Sequence, residues 1–155
     1  MNDAAETFLV VVDDTAESAK ALRFAALRAQ HTGARVALLH VLKPSQFLQW
    51  GGVQKDMEAE AEDNGRAVLA AKAAEVEALT GLRPGVRLAR GRATEAVMDV
   101  LRSDRSIRAL VLAAAAKGKP GPLVEHFAGD AAGTLPCMVM IVPGGIDDAD
   151  LDRLT

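Results

Sequence analysis

At 155 residues the chain is long enough to cover a sheet on both faces but cramped for two domains. Half of its residues are apolar and only 3% aromatic, so its core must be assembled from Ala, Val and Leu, which suits helices packed closely on a sheet. A formal charge of -3 without any segment dense in Lys and Arg speaks against a nucleic-acid binder, and no apolar run approaches the ~20 residues of a membrane helix.

The N-terminal segment Met1 to Glu6 is acidic and lacks the basic-then-apolar pattern of a secretory leader. Cys137 is alone, so no internal disulfide can form. Together these features lead us to expect a cytoplasmic protein.

Phe8 to Val12 is an unbroken apolar run that stops at Asp13, Asp14 and Thr15. A strand with no polar alternation must be covered on both faces, as in a parallel sheet between helix layers. Ligands of such sheets sit beyond the carboxyl ends of the strands, where strand order reverses, which makes Asp13 the first candidate site residue. From Glu17 to Ala29, residues Leu22, Ala25, Ala26 and Ala29 recur at helical spacing, and His31-Thr32-Gly33 supplies the stop. Arg35 to Leu42 is a second buried strand, broken by Lys43-Pro44, so that strand, helix and strand make a right-handed parallel unit.

Between Ser45 and Val53 the periodicity vanishes, and Phe47, Trp50 and Gly51-Gly52 read as a loop with two anchoring aromatics. Met57 to Leu79 reads as a long helix with Leu69, Ala73, Val76 and Leu79 on one face. Its early carboxylates, Glu58, Glu60, Glu62 and Asp63, suit the positive end of a helix dipole and form a solvated face rather than a metal site, since no His or Cys joins them. Gly81 closes this helix. Val86 to Arg90 is a short strand ending at Gly91-Arg92, Ala93 to Leu101 a helix with Ala96, Val97, Val100 and Leu101 inward, and Ala109 to Ala115 a fourth strand.

A loop from Ala116 to Pro122 leads into a helix over Leu123 to Ala132 and a last strand over Cys137 to Val142, stopped by Pro143-Gly144-Gly145. The acidic tail, residues 145 to 155, is either a short helix or loosely ordered. The predicted architecture is a single α/β domain with core 7 to 144, in which five strands alternate with four helices.

Asp13-Asp14 could belong to a phosphoacceptor receiver, but the third strand ends in Arg90-Gly91 without the required Asp. Asp-x-Asp phosphatase chemistry would need Asp at Thr15. Gly118-Lys119 lacks the earlier Gly and the following Ser or Thr of a P-loop. His40 lies inside an apolar strand as a satisfied core or rim histidine, His126 reads as a surface residue, and Cys137 as inert packing. Asp14 and Thr15 are each open to two readings, helix cap or ligand contact. No nucleophile, base and orienter set emerges, so no catalytic residue and no metal ligand is assigned.

The strand-to-Asp13 junction, His40-Val41 at a strand end, Arg90-Gly91-Arg92-Ala93-Thr94-Glu95 and Pro136-Cys137-Met138-Val139 occur in an order that resembles the universal stress protein family. It is similar in particular to bacterial members with a Lys-Gly-containing Pro-Gly-Pro-Leu-Val loop. The resemblance implies strand order 3-2-1-4-5, a homodimer through the last strand (Met138, Val139, Met140, Ile141, Val142) and, in many members, an ATP or AMP site. Carried over by position, the nucleoside contacts would be Asp13, Thr15, Val41 and Gly91.

The phosphate end departs from the family pattern of Gly-x-x-Gly, nine residues, then Gly-Ser or Gly-Thr. Those glycines fall at Ala113 and Ala116, and the Gly-Ser pair at Glu125 and His126. The literal Gly118-x-x-Gly121 is followed nine residues on by Ala131-Ala132, and Pro120 and Pro122 remove two N–H donors. The expected function is therefore a homodimeric, non-enzymatic module of stress-response regulation that meets a protein partner the sequence does not name. The alternative is an ATP or AMP binder with slow hydrolysis, in which Lys117, Gly118 and Gly121 face the phosphates.

Overall fold

The computed structural model describes residues 5–44 and 51–155, and of residues 51–54 the backbone alone. In chain order the elements are β1 (Thr7–Val11), α1 (Ala16–Thr32), β2 (Arg35–Leu42), α2 (Gly51–Thr80), β3 (Gly85–Arg90), α3 (Ala93–Ser103), β4 (Ile107–Ala114), α4 (Pro122–Phe127), a single 3₁₀ turn (Ala132–Thr134), β5 (Met138–Pro143) and α5 (Asp148–Arg153). The five strands form one sheet in the order β3-β2-β1-β4-β5, and every neighbouring pair is parallel.

Alternation along each strand sends side chains into two cores. Phe8, Val10, Leu38 and Val111 face the α1, α2 and α5 layer, where they meet Leu22, Leu69, Val76 and Leu151. Leu9, Leu39, Leu110 and Leu112 face α3 and α4 through Val97, Leu101 and Phe127. Each fully buried aliphatic side chain contributes roughly 1.5–3 kcal/mol. On α1 the inward residues Ala21, Ala25, Ala26 and Ala29 are small and buried, which lets the helix lie close on the sheet. Gly33, at φ 75, ends α1 in the left-handed conformation that favours glycine.

Three expectations are corrected. Gly51-Gly52 belongs to α2 rather than to the preceding loop, so Glu58, Glu60, Glu62 and Asp63 lie well inside the helix and not at its dipole end. Glu62 instead accepts hydrogen bonds from Arg66 (2.9 Å) and from Arg90 of β3, and these guanidinium groups, Arg66 foremost, hold its carboxyl below the usual range. Phe47 and Trp50 lie outside the described residues. Leu79 stays exposed rather than packing inward.

The helix expected over Leu123 to Ala132 ends at Phe127. At Gly129 the chain turns so tightly that a Cβ there would stand 2.4 Å from the Glu125 carbonyl oxygen, and it resumes as the 3₁₀ turn.

The acidic tail takes the first of its two readings. Asp147 caps α5 by accepting from the Asp150 N–H at 2.8 Å, and Leu151 is buried against α1. Lys20 reaches Asp148 at 2.8 Å, and Arg23 grips Asp152 through two 2.7 Å bonds, so both carboxyls are held below the usual range by their partners.

Between β5 and α5, the Gly144 N–H donates to the Ala114 carbonyl at 2.7 Å. A Cβ at Gly144 would stand 2.4 Å from that oxygen, which is backbone and cannot rotate away. Gly144→Ala should therefore destabilise the fold by about 1–3 kcal/mol; an unchanged urea midpoint would contradict this packing.

Candidate functional site

The site forms where β1, β2 and β4 release the chain. The ladder continues one residue past β1, with the Val12 N–H donating to the Leu39 carbonyl at 2.8 Å. The Asp13 N–H then donates to Ser18 Oγ at 3.1 Å. Asp13 Oδ1 accepts from both the N–H (2.8 Å) and the hydroxyl (2.5 Å) of Thr15, and Thr15 Oγ1 in turn accepts from the Ser18 N–H at 3.2 Å. Thr15 is thus the N-cap of α1, satisfying a helix donor that would otherwise lack a partner. The same hydroxyl holds the exposed Asp13 carboxylate in place, leaving Oδ2 without a protein donor among the described residues.

His40 Nδ1 lies 2.8 Å from the Val12 carbonyl oxygen. A carbonyl only accepts, so this nitrogen carries the proton and the ring is fixed as a donor to the end of β1. Beside it α2 crosses at Gly65, where a Cβ would come within 2.9 Å of Leu88 Cδ1 and 3.1 Å of His40 Cδ2.

A cavity of about 720 Å³ opens over these strand ends, with Asp13, Thr15, Val41 and Gly121 on its walls. The structure therefore brings together four of the seven site residues expected from sequence. Gly91 is not on the wall; at φ 114 it donates from its N–H to the Leu42 carbonyl at 3.0 Å and turns the chain from β3 into α3. Lys117 and Gly118 lie in an exposed turn that is closed by the Ala115 N–H donating to Pro120 O at 3.0 Å. Of the positions where glycine or serine was expected, Ala113 is on the wall, while Ala116, Glu125 and His126 are not.

Ser18, His40 and Lys43 also line the cavity. Ser18, three residues after Thr15, was not singled out from the sequence, and Lys43 was read only as a strand breaker. Asp14 is exposed and neither caps α1 nor lines the cavity. Cys137 is half-buried, and that burial pushes its thiol up. Among the described residues, no three His, Cys, Asp or Glu gather as metal ligands, and no helix is long and apolar enough to cross a membrane.

A parallel sheet whose crevice opens between the diverging neighbours of β1, with a carboxylate fixed at its lip, defines a small doubly wound α/β domain with a candidate ligand crevice. The universal stress protein family model matches residues 5–143, and the chain belongs to that family. Among solved structures it is similar to the universal stress protein UspA from Lactobacillus plantarum, at 17% identity and a TM-score of 0.73, covering 91% of this chain and 99% of that one. It also resembles a universal stress protein family member from Burkholderia pseudomallei, at 18% identity and a TM-score of 0.68 over 92% of this chain and 99% of that one. A family member from Arabidopsis thaliana with AMP bound is similar at 13% identity and a TM-score of 0.64, with 94% of each chain covered. No curated protein matches the sequence significantly.

Because Thr15 serves both the helix and Asp13, Thr15→Ala should cost about 1 kcal/mol of stability, and Thr15→Ser should restore most of it. Equal urea midpoints for all three proteins would show that the cap carries no stability.

Proposed function

We propose that the protein is a cytoplasmic, non-enzymatic regulatory module of the stress response that works as a homodimer joined through β5 and meets a protein partner in that form. The observation that carries this reading is the contrast between the two edges of the sheet. β5 is an outer strand with Met138 71% and Ile141 42% exposed, and it has no charged side chain. The opposite edge, β3, carries Arg87 and Arg90, tied to Asp104 and Glu62. Charged edges resist strand addition, whereas a bare apolar edge invites it.

Pairing two β5 strands about a two-fold axis removes that edge from solvent. Light scattering at micromolar concentration should give twice the chain mass, and Val139→Asp with Ile141→Lys should halve it; a wild-type monomer would end this reading.

The cleft favours a second reading, in which the module takes up an adenine nucleotide as a signal. Asp13, Thr15 and Val41 all line a cavity of about 720 Å³, a volume in the range of small-molecule sites. The AMP held by the Arabidopsis family member supports this reading. AMP suits the site better than ATP, since Pro120 and Pro122 bring walls without N–H donors, and Lys117 and Lys119 stand off the cavity.

Acid extraction of freshly purified, undialysed protein should release an adenine nucleotide. AMP should raise the melting temperature of the wild type, and Asp13→Ala should abolish the rise. A rise that survives the substitution would place the nucleotide elsewhere, and no rise with either AMP or ATP would remove the second reading.

A further inference from the structure

Past the rung from the Val12 N–H to the Leu39 carbonyl, β1 and β2 part. The Val12 carbonyl there accepts from a side chain, His40 Nδ1 at 2.8 Å, and among the described residues from no backbone N–H. That carbonyl belongs to the peptide unit that begins Asp13, so the imidazole stands one peptide from the carboxylate at the lip of the cleft.

The opposite edge of the ring is set by α2. A Cβ at Gly65 would lie 3.1 Å from His40 Cδ2 and 3.0 Å from Leu42 Cδ2, so glycine lets the helix come this close. Ala61, one helical turn earlier on the same face of α2, lines the cavity. The ring thus sits where close packing under Gly65 gives way to open space under Ala61.

Nε2 is the polar atom that remains. His40 is half-buried, and among the described residues its Nε2 has no hydrogen-bond partner. No partnerless side-chain nitrogen or oxygen among them is shut off from solvent, so Nε2 opens onto the cavity that His40 lines. Because Nδ1 carries the proton, Nε2 presents a lone pair and is fixed as an acceptor. Asp13 Oδ2, on the same cavity, is an acceptor as well.

We propose, resting on the reading of the cleft as an adenine-nucleotide site, that His40 determines its specificity, with Nε2 accepting a hydrogen bond from an N–H or O–H of the ligand. A ligand atom that brought its own lone pair to that point would face Nε2 lone pair to lone pair and be rejected, whereas a donor is bound and oriented. A nucleoside monophosphate offers such donors in two places, the amino group of the base and the hydroxyls of the ribose.

The test is ¹⁵N spectroscopy of the imidazole rings in the full-length protein at about pH 8, where a phosphate monoester is ionised and donates no hydrogen bond. The His40 signals are identified by comparison with His31→Gln and His126→Gln. In the free protein Nδ1 should be protonated and Nε2 bare; the opposite tautomer would overturn the proposal. Saturating AMP should move the Nε2 signal in the direction of an accepted hydrogen bond. Two analogues separate the donors: 2′,3′-dideoxy-AMP lacks both ribose hydroxyls, and purine riboside 5′-monophosphate lacks the amino group. One of them should bind and leave Nε2 as in the free protein, and a signal that both move as AMP does would overturn the donor assignment. AMP that moves the Asp13 amide but not Nε2 would overturn the role of His40 alone, whereas AMP that moves no amide of the cleft would overturn the nucleotide reading and this role with it. His40→Phe, which keeps a ring but no acceptor, should weaken AMP binding roughly three- to tenfold; an unchanged Kd in the folded variant would overturn the role, and the wild-type spectra decide where that variant does not fold.

Discussion

Leu9 and Val10 are neighbours on β1, point to opposite sides of the sheet and are both fully buried. A strand dry on both faces requires a helix layer above and below, and β1 is also flanked on both edges, by β2 and β4. The remaining order follows from right-handed crossovers, which carry the chain outward through β2 to β3 and then back across β1 to β4 and β5. Because the two halves diverge from β1, their connections part above its carboxyl end. The crevice is a consequence of how β1 is buried, and Asp13 sits at its lip because it follows that strand.

Thr15 shows how tightly structure and candidate site are joined there. Its hydroxyl donates to Asp13 and accepts from the first turn of α1, so one oxygen both starts a helix and aims a carboxylate. The sequence left helix cap and ligand contact as alternatives for Thr15, but the geometry makes them compatible, since a capping residue at a strand-to-helix junction necessarily stands beside the crevice. Ser18 extends the arrangement by accepting from the Asp13 N–H, which no reading of isolated residues would suggest.

The strands were legible because each is an apolar run between breakers, and β2 begins and ends where Arg35 and Leu42 predict. Less legible were the places where glycine changes meaning with context. Gly51-Gly52 reads as a break yet starts α2, while Gly65 sits inside that helix because a side chain would crowd His40 and Leu88. At the site, Asp13, Thr15, Val41 and Gly121 converge because strand ends and the start of α4 fix them. Gly91, Lys117 and Gly118 do not, because their positions depend on loop paths that spacing along the chain does not determine. His40 was read as a satisfied histidine of the core or the rim, but its partner, the Val12 carbonyl, is a contact across strands that only the register reveals.

The two sheet edges divide the remaining surface by charge. On β3, arginines answer carboxylates of α2 and of the α3 to β4 connection, so polar side chains guard that edge. The acidic tail does not cover the other edge. Its carboxylates are drawn to Lys20 and Arg23, and Leu151 is buried against α1, so α5 is fixed beside the α1 layer while Met138 and Ile141 stay open. β4 pairs with β5 along its length and contributes Leu112 and Ala113 to the cleft. The bare edge and the cleft are therefore one strand apart, and Gly144 fastens the exit of β5 to the Ala114 carbonyl at the end of that shared strand. Two subunits joined at β5 would each hold a cleft one strand away from the joint, close enough for the packing of β4 to be common to both.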